Sequence, residues 1–274
     1  MLLSRLREGI AWRARGYQRR RYLRKAFANG DALLQSYLNR TACDEAIFHD
    51  GTLIRHPSGR LGLAQLLLEI WFERVYSERY PAPAAGDVII NAGANIGVFS
   101  IQMGKLQPNC RILAFEPFRE NFKLLEQNLG SAAVHCVEPH HVALSSASGF
   151  ATMVAIGERS QDHRLSVAKG ASAEVRKDAG DYVVPTLSLA NIWEMTQDDE
   201  IAMFKCDIEG SEADLFGTAQ PTELIRVRQF AIEWHDHLRP GVRQMLIARL
   251  QSTHEVEIVD ESGGKWGMLY ARRR

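Results

Sequence analysis

The chain predicts an α/β fold: a mostly parallel sheet with helices on both faces, an antiparallel hairpin at the C-terminal end, and a helical and hairpin appendage in front. Three stretches carry that expectation. Residues 87–97, Asp-Val-Ile-Ile-Asn-Ala-Gly-Ala-Asn-Ile-Gly, pass from a β-branched apolar run into a Gly-containing turn, and Val98, Phe99, Ile101 and Met103 continue at roughly helical spacing. Arg111–Phe115 is a second apolar run, and Pro117 holds Glu116 in extended geometry at its carboxyl tip. At the other end, Val256–Asp260 and Lys265–Ala271 read as two strands joined through Gly263-Gly264, which makes them antiparallel neighbours.

Composition sets the outer bounds. With 274 residues, 46% of them hydrophobic, and a formal net charge of zero, the chain is long enough for one large α/β domain plus an appendage, and it does not read as a nucleic-acid binder. The balance hides an asymmetry: residues 1–25 hold nine Lys/Arg against Glu8 alone, so the remainder is net negative by eight. Met1-Leu-Leu followed by Arg5 and Arg7 leaves no apolar core of a signal peptide, and no later run reaches the length of a membrane span. A cytoplasmic location is expected. Trp12, Tyr17 and Tyr22 among arginines suit peripheral contact with the inner membrane face, and docking of this basic arm on the acidic remainder is the competing expectation, favoured by Gly9 and Gly16 within it. Cys43, Cys110, Cys136 and Cys206 lack C-x-x-C spacing, so neither zinc nor disulfides are expected.

Taken in order, the arm and a helix occupy 1–45. Residues 46–57 read as a hairpin about Asp50-Gly51, and apolar residues from Leu61 to Tyr80 recur at three and four, as in a helix packed on the sheet. Together these fill 46–85. Pro81–Gly86 breaks the pattern, and the main domain, 86–274, begins there. Phe122, Leu125 and Leu129 mark one helix face, with Gly130 as its C-terminal cap. Val134–Val137 and Val142–Leu144 suggest the next strand, with a loop at Pro139-His-His141, and 145–185 looks like a mobile excursion, either a lid or a solvated insertion. Ile201–Phe204 and Gln229–Trp234 are buried strands, and Ser211 with Asp214 fits a helix N-cap pair.

Ligands of open parallel sheets collect at the carboxyl ends of the strands. There the chain places the Gly93 turn, Glu116, then Asp207 and Glu209, then Glu233, His235 and His237. The turn is expected to aim unpaired N–H groups at a ligand. A dinucleotide fingerprint needs a second glycine where Asn95 stands, so a nucleoside without a pyrophosphate fits better, with Glu116, 23 residues beyond Gly93, accepting bonds from ribose hydroxyls. Glu-x-His-x-His also invites a metal reading. No fourth clustered ligand supports zinc, while a divalent ion between Asp207 and Glu233 is compatible with the pattern.

Asn-Ala-Gly-Ala-Asn-Ile-Gly (91–97), Ala-Phe-Glu-Pro (114–117) with Asn121, and Phe-Lys-Cys-Asp-Ile-Glu-Gly-Ser-Glu (204–212) resemble, in order, the signature segments of the FkbM-type S-adenosylmethionine-dependent methyltransferases. The likeness covers roughly 46–256. It implies the class I methyltransferase (Rossmann-like) fold and a cofactor site formed by Asn91, Gly93, Ala94, Asn95, Gly97, Glu116, Pro117, Asn121, His141, Val142, Asp207 and Glu209. Asn91 and Ser188 stand where the family usually has Asp. The segment with His140, His141 and Val142 is implied to border the adenine, an ordinary polar loop being the alternative. The resemblance implies O-methylation of a hydroxyl on a glycan, glycolipid or secondary metabolite. In-line displacement at an activated methyl needs an oriented acceptor and removal of its proton, for which Asp207, Glu233 and His235 are the candidates, His235 first for its pKa range. An NAD-dependent oxidoreductase and a non-catalytic nucleoside-binding protein are the rival readings.

Overall fold

The computed structural model describes residues 2–155, 163–166, 182–197, 200–260 and 262–274, and of 2–13 the helical backbone alone. Helices α1 (Leu2–Ala26) and α2 (Gly30–Asn39) lead into a small antiparallel pair, β1 (Glu45–Ile47) and β2 (Leu53–Arg55), turning at Asp50-Gly51 as expected. Then come α3 (Leu63–Leu67), continued by a π-helical turn at Leu68–Phe72, β3 (Val88–Ala92), α4 (Val98–Leu106), β4 (Arg111–Phe115), α5 (Arg119–Ser131) and β5 (Val137–His140). A second group of strands follows: β6 (Ala143–Leu144), β7 (Gly149–Ala155), β8 (His163–Ser166) and β9 (Tyr182–Leu187). The chain finishes with α6 (Leu189–Met195), β10 (Ile201–Cys206), α7 (Glu212–Phe216), α8 (Pro221–Leu224), β11 (Gln229–Trp234), α9 (Val242–Leu250), β12 (His254–Asp260) and β13 (Gly267–Arg273).

Seven strands form the main sheet in the order β12-β13-β11-β10-β3-β4-β5. The inner pairs are parallel, and β13 runs antiparallel to both β11 and β12. This is the class I methyltransferase layout. The order reverses between β3 and β10, so the loops after those two strands open side by side, as a switch-point crevice requires.

The sheet is apolar on both faces because consecutive residues of one strand serve different cores. Ile89 and Ile112 join a cluster with Leu23, Phe27, Leu67, Phe99 and Leu125, whereas Ile90 and Leu113 join Phe204, Phe230, Trp234 and Leu246 on the other side. The N-terminal appendage is thus part of the first core. Phe27 is 1% exposed and its ring lies 4.6 Å from that of Phe48, which in turn lies 4.8 Å from Trp71.

Several local expectations change. The arm is a continuous helix through Gly9 and Gly16, since Leu23 is fully buried and Arg19 Nε donates to Glu73 at 2.6 Å, contacts that outweigh weak helix propensity. The helix expected to reach Tyr80 ends at Phe72, and Arg74 then takes a left-handed conformation at φ 54°. Gly130 stays within α5, and Ala133 (φ 50°) makes the left-handed turn after it. Pro139 and His140 belong to a strand rather than a loop, because they pair with Ala114 and Phe115. The stretch after His141 enters a separate four-stranded sheet, β6-β9-β7-β8. The charged stretch 158–177 lies outside the described residues except at 163–166. Among the described residues no helix is long and apolar enough to cross a membrane.

Phe27→Ala should destabilise the fold by about 3–5 kcal/mol, the scale for deleting a buried aromatic ring. Tyr17→Ala, at a position 68% exposed, should stay within about 0.5 kcal/mol of wild type. Urea unfolding of both variants checks the pair.

Candidate active site

The carboxyl ends of β3 and β10 meet with almost no clearance. Asp207 N donates to Ala92 O at 3.1 Å, and a Cβ on Gly93 (φ +75°) would stand 1.8 Å from Asp207 O. The loop then closes on itself. The N–H groups of Gly93 and Ala94 both donate to Phe115 O, that of Asn95 to Glu116 Oε2 at 2.7 Å, and that of Ile96 to the Asn95 side chain at 2.7 Å. The expected cradle of unpaired N–H groups is therefore absent at these four residues. Asn95 holds φ 50°, a conformation its short amide supports by this local bond.

Beside this loop opens a cavity of about 960 Å³. Gly93, Ala94, Asn95, Lys205, Asp207, Glu209 and Glu233 line it from the sheet side, and Glu69, Glu73, Tyr76, Arg79, Arg15 and Arg19 from the appendage. Its floor is acidic. The Tyr76 hydroxyl lies 3.1 Å from Asp207 Oδ2 and 3.0 Å from Glu233 Oε2, and bridges the two carboxylates. Burial and the charges of Asp207 and Glu233 push the Tyr76 phenol well above its usual range, so it stays a donor. Lys205, 3% exposed, gives its ammonium to the carbonyl oxygens of Ala92 (3.2 Å) and Gly93 (2.7 Å) and lies 3.8 Å from Asp207 Oδ2.

His235 sits at the centre of the acidic groups. Its Nδ1 is 3.0 Å from Oε1 of the fully buried Glu212, and its Nε2 faces Glu209 Oε2 and Glu233 Oε1 at 3.6 Å and Asp207 Oδ1 at 4.0 Å. Burial alone lowers the pKa of an imidazole, but the bond to Glu212, the nearby Glu233 carboxylate and the charges of Glu212 and Asp207 raise it to about 12. As a held cation it is a poor general base at neutral pH, which reverses its first rank among the candidates. Burial pushes carboxyls on the cavity wall the other way: Glu69 to about 7, Glu209 to about 8 with help from the Asp207 charge, and Glu233 upward by burial and then Asp207. Such values are the ones a proton acceptor needs near neutrality.

The expected site residues thus divide into two groups. Gly93, Ala94, Asn95, Asp207, Glu209 and Glu233 line the cavity. Glu116, 5% exposed, stands behind Asn95 and is bonded to it and to Phe118 N. Burial raises its carboxyl to about 7 against those two backbone bonds. Pro117 O accepts from the Tyr182 hydroxyl (2.7 Å) and lies 3.0 Å from His141 Nε2. His141 stacks on Phe122, while Val142 is buried in the second core and Asn121 is 2% exposed. Gly97, at φ +92°, packs against Leu125. Asn91 does not reach the cavity: its amide donates to Ser100 Oγ at 2.9 Å, and its Oδ1 is buried with no partner. Ser211 heads α7 without a side-chain cap, because Glu212 Oε1 takes the N–H groups of Ile208 and Gly210 instead.

Sequence reasoning missed Glu69, Tyr76, Lys205 and Tyr182 as site residues. Lys205 had a signal, being a lysine in a buried strand beside Asp207. Tyr76 and Glu69 had none, because Glu69 is aimed at the site by the π-helical turn and Tyr76 by the turn that follows it.

The family described as "Methyltransferase FkbM domain" matches residues 91–256. The AMB antimetabolite synthetase AmbE of Pseudomonas aeruginosa is 28% identical over 203 residues, 61% of this chain and 9% of that protein, so the chain spans under a tenth of that relative. Methyltransferase 1 of Beauveria bassiana is 26% identical over 190 residues, 61% of this chain and 71% of that protein. The solved structure of M. capricolum TrmK with S-adenosyl-homocysteine aligns with a TM-score of 0.40 at 6% identity, covering 74% of this chain and 67% of that one.

Gly93→Ala should cost more stability than the about 1–2 kcal/mol of left-handed strain alone, because its Cβ meets backbone. Gly86→Ala (φ +83°), where a Cβ meets nothing within 4 Å, should cost that strain only. Denaturant midpoints of the two variants test the close approach.

Proposed function

Since the chain belongs to the FkbM methyltransferase domain family, whose cofactor is S-adenosylmethionine, we propose that it methylates a hydroxyl oxygen of a glycan, glycolipid or secondary metabolite. The observation that carries this reading is the acidic cavity beside the Gly93–Asn95 loop, in which carboxyls with raised pKa values face the space an acceptor would enter.

The residues present fit the cofactor. A nucleoside without a pyrophosphate does not need the loop N–H groups, and those are already spent within the protein. Glu116 uses three of its roughly four acceptor positions on Asn95 N, Phe118 N and the Asn121 side chain, which leaves one for a ribose hydroxyl. The acidic lining suits a ligand that carries positive charge. When bound, S-adenosylmethionine supplies an activated methyl group on a sulfonium. Gly93, Ala94 and Asn95 would hold its amino-acid side, with Asp207 offering an anionic partner and Glu209, whose carboxyl is raised to about 8, a hydrogen-bonding one. Asn91 acts by supporting the loop through Ser100 rather than by touching the ligand.

For the acceptor, the chain orients a hydroxyl and removes its proton. Glu69 and Glu233 are the two groups whose raised pKa and position in the cavity suit that task. His235, held protonated by the carboxylates around it, contributes positive charge instead.

Calorimetry with S-adenosylhomocysteine and with NAD tests the cofactor side: binding of the first and none of the second is expected, and the reverse would overturn the reading. Transfer of a labelled methyl from S-adenosylmethionine to a panel of polyhydroxylated acceptors, with NMR placing the methyl on oxygen, tests the O-methylation.

Two outcomes are expected of variants. Glu116→Gln should weaken S-adenosylhomocysteine binding by about 1–3 kcal/mol, the scale for hydrogen bonds to a charged acceptor. Binding to ribose favours the ionised carboxylate, so wild-type affinity should rise with pH up to about 7 and then level off, and this step should vanish in the variant. Glu69→Gln should keep that affinity and slow methyl transfer by about 10²–10⁴-fold if Glu69 takes the proton, removing the acidic limb of the pH–rate profile.

A further inference from the structure

Three side chains on the cavity floor are arranged as ligands more than as a hydrogen-bonded set. The Tyr76 hydroxyl occupies Asp207 Oδ2 and Glu233 Oε2, so Asp207 Oδ1 and Glu233 Oε1 are left turned toward His235 Nε2, at 4.0 and 3.6 Å. Neither contact is short enough for a hydrogen bond. The opposite ring nitrogen, Nδ1, is anchored to Glu212 Oε1 at 3.0 Å, and His235 and Glu212 are 3% and 0% exposed. Nε2 is therefore a buried nitrogen with no acceptor in hydrogen-bond reach, aimed by the group behind it into a space edged with carboxylate oxygens. A carboxylate behind a histidine is how proteins orient a metal-bound imidazole.

Asp207, Glu233 and His235 each offer one ligand atom, and these atoms all lie within 4.8 Å of one another. Ligands around a single ion with bonds of about 2.1 Å stand roughly 3.0–3.5 Å apart, so the two contacts of His235 close with a contraction of about half an ångström and the widest separation in the set with one of a little over an ångström. We infer that Asp207 Oδ1, Glu233 Oε1 and His235 Nε2 bind one divalent first-row cation, with open positions facing the cavity; the ion takes the place of the proton that His235 Nε2 carries in its absence, and that proton is released to solvent. Two carboxylates with one imidazole suit an ion that accepts both donor types, and Mn²⁺ is the natural probe.

The ion's role, though not its binding, rests on the methyl-transfer reading. An alkoxide forming near Asp207, Glu209 and Glu233 meets like charge, and a cation among those carboxylates both offsets that repulsion and acidifies a hydroxyl it touches. With Glu233 engaged as a ligand, Glu69 is left to take the proton.

The test is titration of Mn²⁺ into chelator-treated, desalted full-length protein, followed by calorimetry and by the electron paramagnetic resonance of free Mn²⁺, with S-adenosylhomocysteine binding measured on the same samples. One equivalent should bind. Glu233→Gln and Asp207→Asn should abolish that stoichiometric binding, and Glu212→Gln should weaken it by about 10–100-fold; retained S-adenosylhomocysteine binding proves the fold of Glu233→Gln and Glu212→Gln, and an unchanged circular dichroism spectrum with a cooperative melting transition proves that of Asp207→Asn. Absence of Mn²⁺ binding, or binding that survives both ligand substitutions, in protein that still takes S-adenosylhomocysteine overturns the ion site and leaves the methyltransferase reading standing. Mn²⁺ binding that responds to the substitutions in protein that takes no S-adenosylhomocysteine supports the ion site and overturns the methyl-transfer reading.

Discussion

Everything at this site depends on how closely two strand ends approach. With β3 and β10 paired in register through Ala92 and Cys206, the next residues, Gly93 and Asp207, pass with room for a hydrogen between them and nothing larger. That contact sets the height of the Gly loop over the sheet and brings the Asp207 carboxylate to its edge. Lys205, two residues earlier in β10, ties the same two segments from below through the carbonyls of Ala92 and Gly93. The crevice is thus fixed by backbone, and the side chains around it vary on a rigid frame.

Charge is the second constraint. Glu69, Asp207, Glu209, Glu212 and Glu233 crowd into one region with Lys205 and His235 as the nearby cations. Burial and mutual repulsion oppose ionisation of such a group, and the protein answers in two ways: some carboxyls move toward neutral pKa values, and the imidazole moves far up to stay charged. The basic arm belongs to the same balance. Arg15 and Arg19 of α1 line the acidic cavity, and Arg19 is paired with Glu73.

The sheet was legible in the sequence because its strands are short apolar runs that end in Gly, Pro or an acidic residue, and each of β3, β4, β10 and β11 lies where such a run predicts. The cavity was half legible. Residues at strand tips, such as Gly93, Asp207 and Glu233, follow from topology alone, since parallel strands deliver their carboxyl ends to one rim. Glu69 and Tyr76 do not. Glu69 lies in a π-helical turn that no spacing announces and Tyr76 just beyond it, and the periodic pattern that suggested a helix through Tyr80 concealed both. His235 shows a different limit: its position followed from strand alternation, but its protonation depends on four carboxylates from separate segments, which only the folded chain assembles. Tyr182, which covers Pro117, was hidden because a strand of the second sheet was taken for excursion.

The family domain spans residues 91–256, yet one wall of the cavity comes from residues 15–79. The strand-tip side of the crevice and the wall opposite it are therefore encoded in separable stretches of chain. Tyr76 joins them, reaching from the appendage to two carboxylates of the domain. Exchange of the leading segment would leave the strand-tip carboxylates of the domain in place and rebuild the wall that faces them.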